Sequence, residues 1–235
     1  MNAPRIKRFY KTASLERSGE RYRILLDGRA ARTRTRNELA APTEKLAAAI
    51  VAEWAAQHEE IEQSKMPLTG ILSAAIDGGE GAAEEWREDI LDYLKSDLVC
   101  YRAIEPAALV KRQADGWDPY LEFARQEFGA ALVVTSGIVA VDQPGIAADA
   151  VRKALSEQSP ETLFALRLAT AITGSAVLAL ALWRRAFPPG EIFEASRIDE
   201  RFQEERWGVD DEAKAREDRM RAEFMSVSRF LRMLK

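Results

Sequence analysis

Residues 168–183, LATAITGSAVLALALW, form the longest apolar run in the chain. A helix needs about twenty such residues to cross the hydrocarbon of a bilayer, and this run falls short of that. Thr170, Thr173, Gly174 and Ser175 interrupt it, and Arg167, Arg184 and Arg185 bracket it. A segment that is apolar nearly all round its helix, with charged ends, belongs at the centre of a helical bundle. The sequence therefore predicts one helix over 160–186 as the axis, with Gly174-Ser175 giving a neighbouring helix room for close approach.

The flanking stretches carry a helical period. Leu46, Ile50 and Trp54 recur every four residues behind Pro42-Thr43, an amphipathic stripe. A short apolar helix around 71–76 is expected to end in the linker Asp77-Gly78-Gly79-Glu80-Gly81, and Trp86, Ile90, Tyr93 and Leu94 mark another helix running to Asp97. The linker has neither a P-loop ending nor the GxGxxG spacing. Leu109 sits in a short helix after Pro106, and Asp118 is expected to cap a new helix with Pro119 in its first turn and Gly129 at its close. Leu132-Val133-Val134 and Ile138-Val139-Ala140-Val141 flank Thr135-Ser136-Gly137 and predict a small hairpin or two extended segments. Helices follow over about 147–157, 190–207 and 210–234.

Before residue 40 the pattern is that of strands. Phe9-Tyr10, Tyr22–Leu26 and the alternating Ala30–Thr35 are separated by Ser18-Gly19 and Asp27-Gly28, and Asp-Gly between β-prone runs is a hairpin signal. The fold class is therefore α+β. A small N-terminal antiparallel β domain (1–40) precedes a larger, mainly α-helical domain (41–235) with a short extended or hairpin segment near 131–142. A small ribbon is marginal alone in water, so it must dock on the rest or on a partner. Residues 1–36 hold eleven Lys/Arg against three acids, a charge of +8, which in a chain of net −4 leaves −12 for the remainder.

Composition removes much of enzymology. The one histidine, His58, stands beside Glu59 and Glu60 at the polar end of a helix, and the one cysteine, Cys100, has apolar neighbours. Neither a base–nucleophile pair nor a zinc site is available to such a chain. No catalytic residue, metal ligand or cofactor is assigned. Carboxylates at Glu59/Glu62, Glu85/Glu88 and Asp89/Asp92 have the i,i+3 spacing of magnesium-dependent helical nucleotide pyrophosphohydrolases, which makes that the alternative function. Arg29, Arg32, Arg34 and Arg36 suit a phosphate backbone, but aromatic partners are sparse and the rest of the chain is negative, so no nucleic acid is expected. The N-terminus has no apolar signal core, and neither secretion nor membrane insertion is expected.

Residues 190–212 are more informative, with nine acids against three arginines. Ile198 and Phe202 begin an apolar stripe whose next position is Glu205. A carboxylate continuing such a stripe must be paired, sit at the rim or face a partner. Arg201, four residues earlier, is the in-helix candidate for that pairing. Glu200 and Glu204 repel each other at i,i+4, a cost that suits an acid kept for recognition.

Glu194-Ala-Ser-Arg-Ile-Asp-Glu-Arg-Phe-Gln-Glu-Glu-Arg-Trp-Gly208 resembles the signature of the Atp-twelve family, assembly chaperones for the alpha subunit of the F-type ATP synthase catalytic sector. Lys7–Lys11, Leu26–Arg29, Glu53–Gln57, Met66–Thr69, Ala75–Asp77, Asp97–Ala103, Gln113 with Trp117-Asp118-Pro119, and Gly174-Ser175 before Val177–Ala181 match it in the same order, from residue 7 to about 217. The chain departs from the pattern at Glu62-Gln63, where a proline is usual, at Arg32–Arg36, and at Thr173, where serine is usual.

The resemblance implies a β-rich piece on a larger helical domain, no catalysis, and a partner in the unassembled alpha subunit. It places an important acid at Glu205. The partner-binding residues expected are Glu205, Glu200, Glu204, Asp199 and Trp207. The chain begins almost at the family's first motif, so a bacterial cytoplasm is expected; a monomer is expected as well. In a eukaryote such factors work in the mitochondrial matrix.

Overall fold

Asp27 and Gly28 both take positive φ, 48° and 75°, the backbone of a tight primed turn. The Asp27 carboxylate accepts hydrogen bonds from the backbone N–H of Thr12 (2.8 Å) and Lys11 (3.0 Å), and these amides hold its carboxyl below the ordinary carboxylate range. The computed structural model describes residues 6–137, 141–208 and 210–235. Their order is β1 (Ile6–Lys7), β2 (Ala13–Ser18), β3 (Arg21–Leu26), β4 (Arg29–Ala30), β5 (Ala40–Ala41), α1 (Glu44–Ala55), β6 (Glu60–Ile61), α2 (Pro67–Lys95), β7 (Tyr101–Arg102), α3 (Ala107–Phe128), β8 (Thr135–Ser136), α4 (Gly145–Leu155), α5 (Pro160–Thr173), α6 (Ala176–Arg184), α7 (Pro189–Ala195), α8 (Ile198–Trp207) and α9 (Asp211–Met233). The fold is a small N-terminal antiparallel sheet region followed by a mainly helical domain, as expected.

β3 is the middle strand. It pairs antiparallel with β2 from Ala13↔Leu26 to Ser18↔Arg21, and with β4 and β5 on its other side. Ile24 and Leu26 point into a hydrophobic cluster that also takes in Leu46 and Ile50 of α1 and Leu68 and Leu72 of α2. Two strand expectations fail. Phe9 and Tyr10 lie outside any strand, because Tyr10 turns its hydroxyl onto the Trp54 carbonyl (2.7 Å). Of the expected strand Ala30–Thr35 only Ala30 lies in one, and Arg32 only bridges to Glu38, since Arg36 (φ 69°) turns the chain and Thr35 and Asn37 bond to Asp77.

The expected helix over 160–186 is two helices. Gly174 (φ 69°) ends α5, and the Ser175 hydroxyl accepts the Leu178 N–H (3.0 Å) to start α6. Gly174-Ser175 is thus a break, and what enters it is Asp97. Its two carboxylate oxygens accept the N–H groups of Val99 (3.2 Å) and Val177 (3.1 Å), while the Leu98 N–H donates to the Gly174 carbonyl (3.2 Å). Burial pushes the Asp97 carboxyl up to about 6. Residues 176–183 are all buried, and α5 packs along α2 and against α6 and α9. The central position expected for this apolar run is the one observed.

Other boundaries move for local reasons. The glycine cluster kinks α2 instead of ending it, with Gly79 at φ 54° and ψ −157°. The Trp86 ring folds back so close that a Cβ on Gly78 would lie 2.3 Å from it. Pro119 lies inside α3, so Asp118 is no cap. Its carboxylate takes the Arg102 guanidinium (2.7 Å), and the buried Trp117 beside it donates its indole N–H to the Ala195 carbonyl (2.7 Å). The span 190–207 divides into α7 and α8 at Ser196-Arg197. Thr135-Ser136 pairs in parallel with Tyr101-Arg102, not within a local hairpin, and Ile138, Val139 and Ala140 lie outside the described residues.

The Asp97 carboxyl has a testable signature. Its folded pKa of about 6 lies above the ordinary 3.8, so between those values the folded chain holds the proton more tightly than the unfolded one. Its contribution to stability therefore falls as pH rises from 4 to 6 and is flat above, by about 3 kcal/mol in all. Urea denaturation of wild type and Asp97→Asn across that range checks this: the wild type loses stability relative to the variant as pH rises.

Candidate partner-binding face

α8 starts after the turn at Ser196, where the seryl hydroxyl bonds back to the Phe193 carbonyl (2.7 Å). Ile198 and Phe202 face inward, each 8% exposed. One turn further on, Glu205 stands at the rim. Its carboxylate meets Arg112 of α3 in a two-pronged pair (2.8 and 2.9 Å). Arg112 and Arg206 also lie over the Phe202 ring, at 5.4 and 4.3 Å from its centroid. The hydrogen bond from Arg112 holds the Glu205 carboxyl below its ordinary pKa.

The in-helix pairing of Glu205 with Arg201 does not occur. Arg201 bonds instead to Glu194 (3.1 Å), Glu204 (2.9 Å) and Glu217 of α9 (3.0 Å), while Arg221 bonds the other oxygen of Glu194. Burial opposes the charge of Arg201, yet these three carboxylates raise its pKa and keep it ionised. The Glu200/Glu204 repulsion is relieved because each acid has its own arginine, Arg197 (2.8 Å) and Arg201. Asp199 accepts from the Gln113 amide (2.6 Å), whose oxygen takes the Ala103 N–H (2.7 Å). Gln113 is buried, so this chain of bonds fixes α8 to α3 and to the segment after β7.

The five expected residues therefore share one helix but not one environment. Asp199 and Glu204 are spent on internal links. Glu205 and Glu200 are paired yet reachable, and Trp207 is 86% exposed beside Gly208. A cleft of about 470 Å³ between α8 and α9 is lined by Arg197, Glu200, Gln203, Trp207, Arg216 and Met220. Sequence reasoning missed Arg112, which carries no signal of its own. Gln113 belonged to a matching motif without a role.

The residues weighed for catalysis lie elsewhere. His58 is exposed, and Cys100 is buried, with burial and the nearby Asp97 pushing its thiol up to about 12. Glu62, Glu88, Asp89 and Asp92 each face a cation: Lys65, Arg152, Arg167 and Lys95. Among the described residues no three His, Cys, Asp or Glu side chains are grouped to hold a metal ion, and no helix is long and apolar enough to cross a membrane.

A family model described as ATP12 chaperone protein matches residues 7–125. Atp12 from Paracoccus denitrificans is 36% identical, with 98% of this chain and 99% of that one covered at a TM-score of 0.90. The chain belongs to the ATP12 chaperone family. A point mutant of the P. denitrificans protein matches at 35% identity, 98% of each chain and a TM-score of 0.90. The Atu1473 protein of Agrobacterium tumefaciens matches at 38% identity, 97% of this chain, 86% of that one and a TM-score of 0.93. ATP12 membership supports a chaperone role in ATP synthase assembly.

Internal links and reachable groups should separate on mutation. Gln113→Leu leaves Asp199 and the Ala103 N–H without a partner and is expected to cost roughly 2–3 kcal/mol in a urea titration. Glu205→Gln loosens only an exposed pair and should shift the thermal midpoint by no more than about 2 °C. A large loss of stability in Glu205→Gln would make that residue a structural one.

Proposed function

We propose that this ATP12-family chain binds the unassembled alpha subunit of the F-type ATP synthase catalytic sector, keeps it from aggregating and releases it for pairing with beta. The reading rests on Trp207, a large side chain 86% exposed at the end of a helix that four ion-paired or hydrogen-bonded links to α3, α7 and α9 hold in place. An exposed indole flanked by reachable carboxylates has the aromatic and polar character of a protein interface. An unassembled subunit exposes obligate interface, which is large and apolar. A cover of moderate affinity keeps it soluble and yields by mass action once the larger native interface forms.

In this reading Glu205, Glu200 and Trp207 touch the client, while Asp199 and Glu204 hold the helix that presents them. The chaperone is a monomer of the bacterial cytoplasm, with residues 1–40 as a β unit on a helical unit 41–235, and it works without cofactor or turnover. Co-expression with the alpha subunit followed by size exclusion tests this. The wild type is expected to elute as a one-to-one complex, and Glu205→Lys, folded by circular dichroism, as separate species. Failure of the wild type to form a complex overturns the proposal. Full binding by folded Glu205→Lys removes that residue from the face.

A further inference from the structure

The α8 face lies on the acidic part of the molecule, but another cleft lies at the basic end. It has a volume of about 560 Å³ between the sheet and α1, lined by Phe9, Tyr10, Leu26, Arg29, Arg32 and Trp54 among others. Three aromatic rings form its wall in series. Phe9 meets Tyr10 edge-on at 5.4 Å, and Tyr10 meets Trp54 the same way at 5.4 Å. Tyr10 is buried, whereas Phe9 is 67% exposed. A large aromatic left in water at the mouth of a cleft is the shape of an anchor without its partner.

The positive charge around these rings is only partly compensated. Arg29 has no ion-pair partner among the described residues. Arg32 shares the single carboxylate of Glu38 (3.4 Å) with Arg23 (3.2 Å). Arg8 lies over the Tyr10 ring at 4.7 Å and gives its donors to the carbonyls of Tyr10, Lys11 and Gln57, which cancel none of its charge. Asp27 places one carboxylate in the lining; the amides of Lys11 and Thr12 bond to it and keep it ionised, so one negative charge there stands against Arg29 and Arg32.

We propose that this cleft is a second interaction site, which takes a short acidic peptide segment with one aromatic or aliphatic side chain. The apolar side chain seats against Phe9 and Trp54, and its carboxylates pair with Arg29 and Arg32. Such a segment supplies both things the cleft lacks, apolar cover for Phe9 and negative charge for the arginines. A nucleic acid fits less well, because the cleft is a local pocket and the rest of the chain carries −12. The site is independent of the α8 face and of the identity of the client bound there.

The test uses the full chain with a Glu-Asp-Phe-Asp-Glu peptide as probe and Gln-Asn-Phe-Asn-Gln as its neutral control. The acidic probe is expected to shift the Trp54 indole N–H resonance and leave that of Trp207 in place. Affinity should fall roughly tenfold on Arg29→Glu, on Phe9→Ala and in high salt. Phe9 and Arg29 are both exposed, so these variants retain the fold, which circular dichroism verifies. No shift at Trp54, or equal binding of the neutral control, overturns the proposal. So does an oligothymidylate that occupies the cleft more tightly than the acidic probe, or a self-association of the chain that Arg29→Glu abolishes.

Discussion

The Asp97 carboxylate, buried where α5 gives way to α6, is the interaction around which the helical part is arranged. Without a break the apolar run would form one rod with no polar contact to its surroundings. Gly174 and Ser175 open it, and the backbone N–H groups freed at the start of α6 need acceptors in a place that water does not reach. Ser175 and Asp97 supply them, and the segment from Asp97 to Arg102 is thereby pinned to the middle of the molecule. Arg102 carries the connection outward through Asp118 and the Trp117 ring, and Trp117 reaches the carbonyl of Ala195, the last residue of α7. From the central break to the last residue of α7, just before the helix that presents Trp207, these contacts follow one another.

A second buried carboxylate does similar work between α1 and α2. Glu53 accepts the N–H groups of Leu68 and Thr69 and the Thr69 hydroxyl, at 2.7 to 2.8 Å. Pro67 begins α2 and has no N–H of its own, so the next two amides are the ones in need. Glu53-Trp54 and Met66-Pro67-Leu68-Thr69 thus form two halves of one joint. In both places an acid far away in sequence caps a helix.

This explains what could be read from the residues alone. The α+β division, the central apolar run, the turn at Asp27-Gly28 and the end of α3 at Gly129 rest on local period and local backbone preference, and all were legible. What was not legible depends on distant partners. Asp118-Pro119 has the look of a helix start, but Arg102 takes the aspartate and the helix runs on. Residues 160–186 look continuous because apolarity hides the capping geometry of Gly174 and Ser175. Glu205 stood out because it interrupts a stripe, whereas its partner Arg112 lies in α3 with nothing to mark it. Glu204 and Asp199 were grouped with Glu205 because all are acidic and adjacent, and only burial and pairing tell them apart.

Four of the five tryptophans are sheltered in the fold to some degree, with Trp117 fully enclosed and Trp86 and Trp183 nearly so, while Trp207 stands in water. Its emission is accordingly expected to lie to the red of the others and to be open to collisional quenching by iodide or acrylamide. The molecule carries its own optical probe of whether α8 is covered, with no label attached.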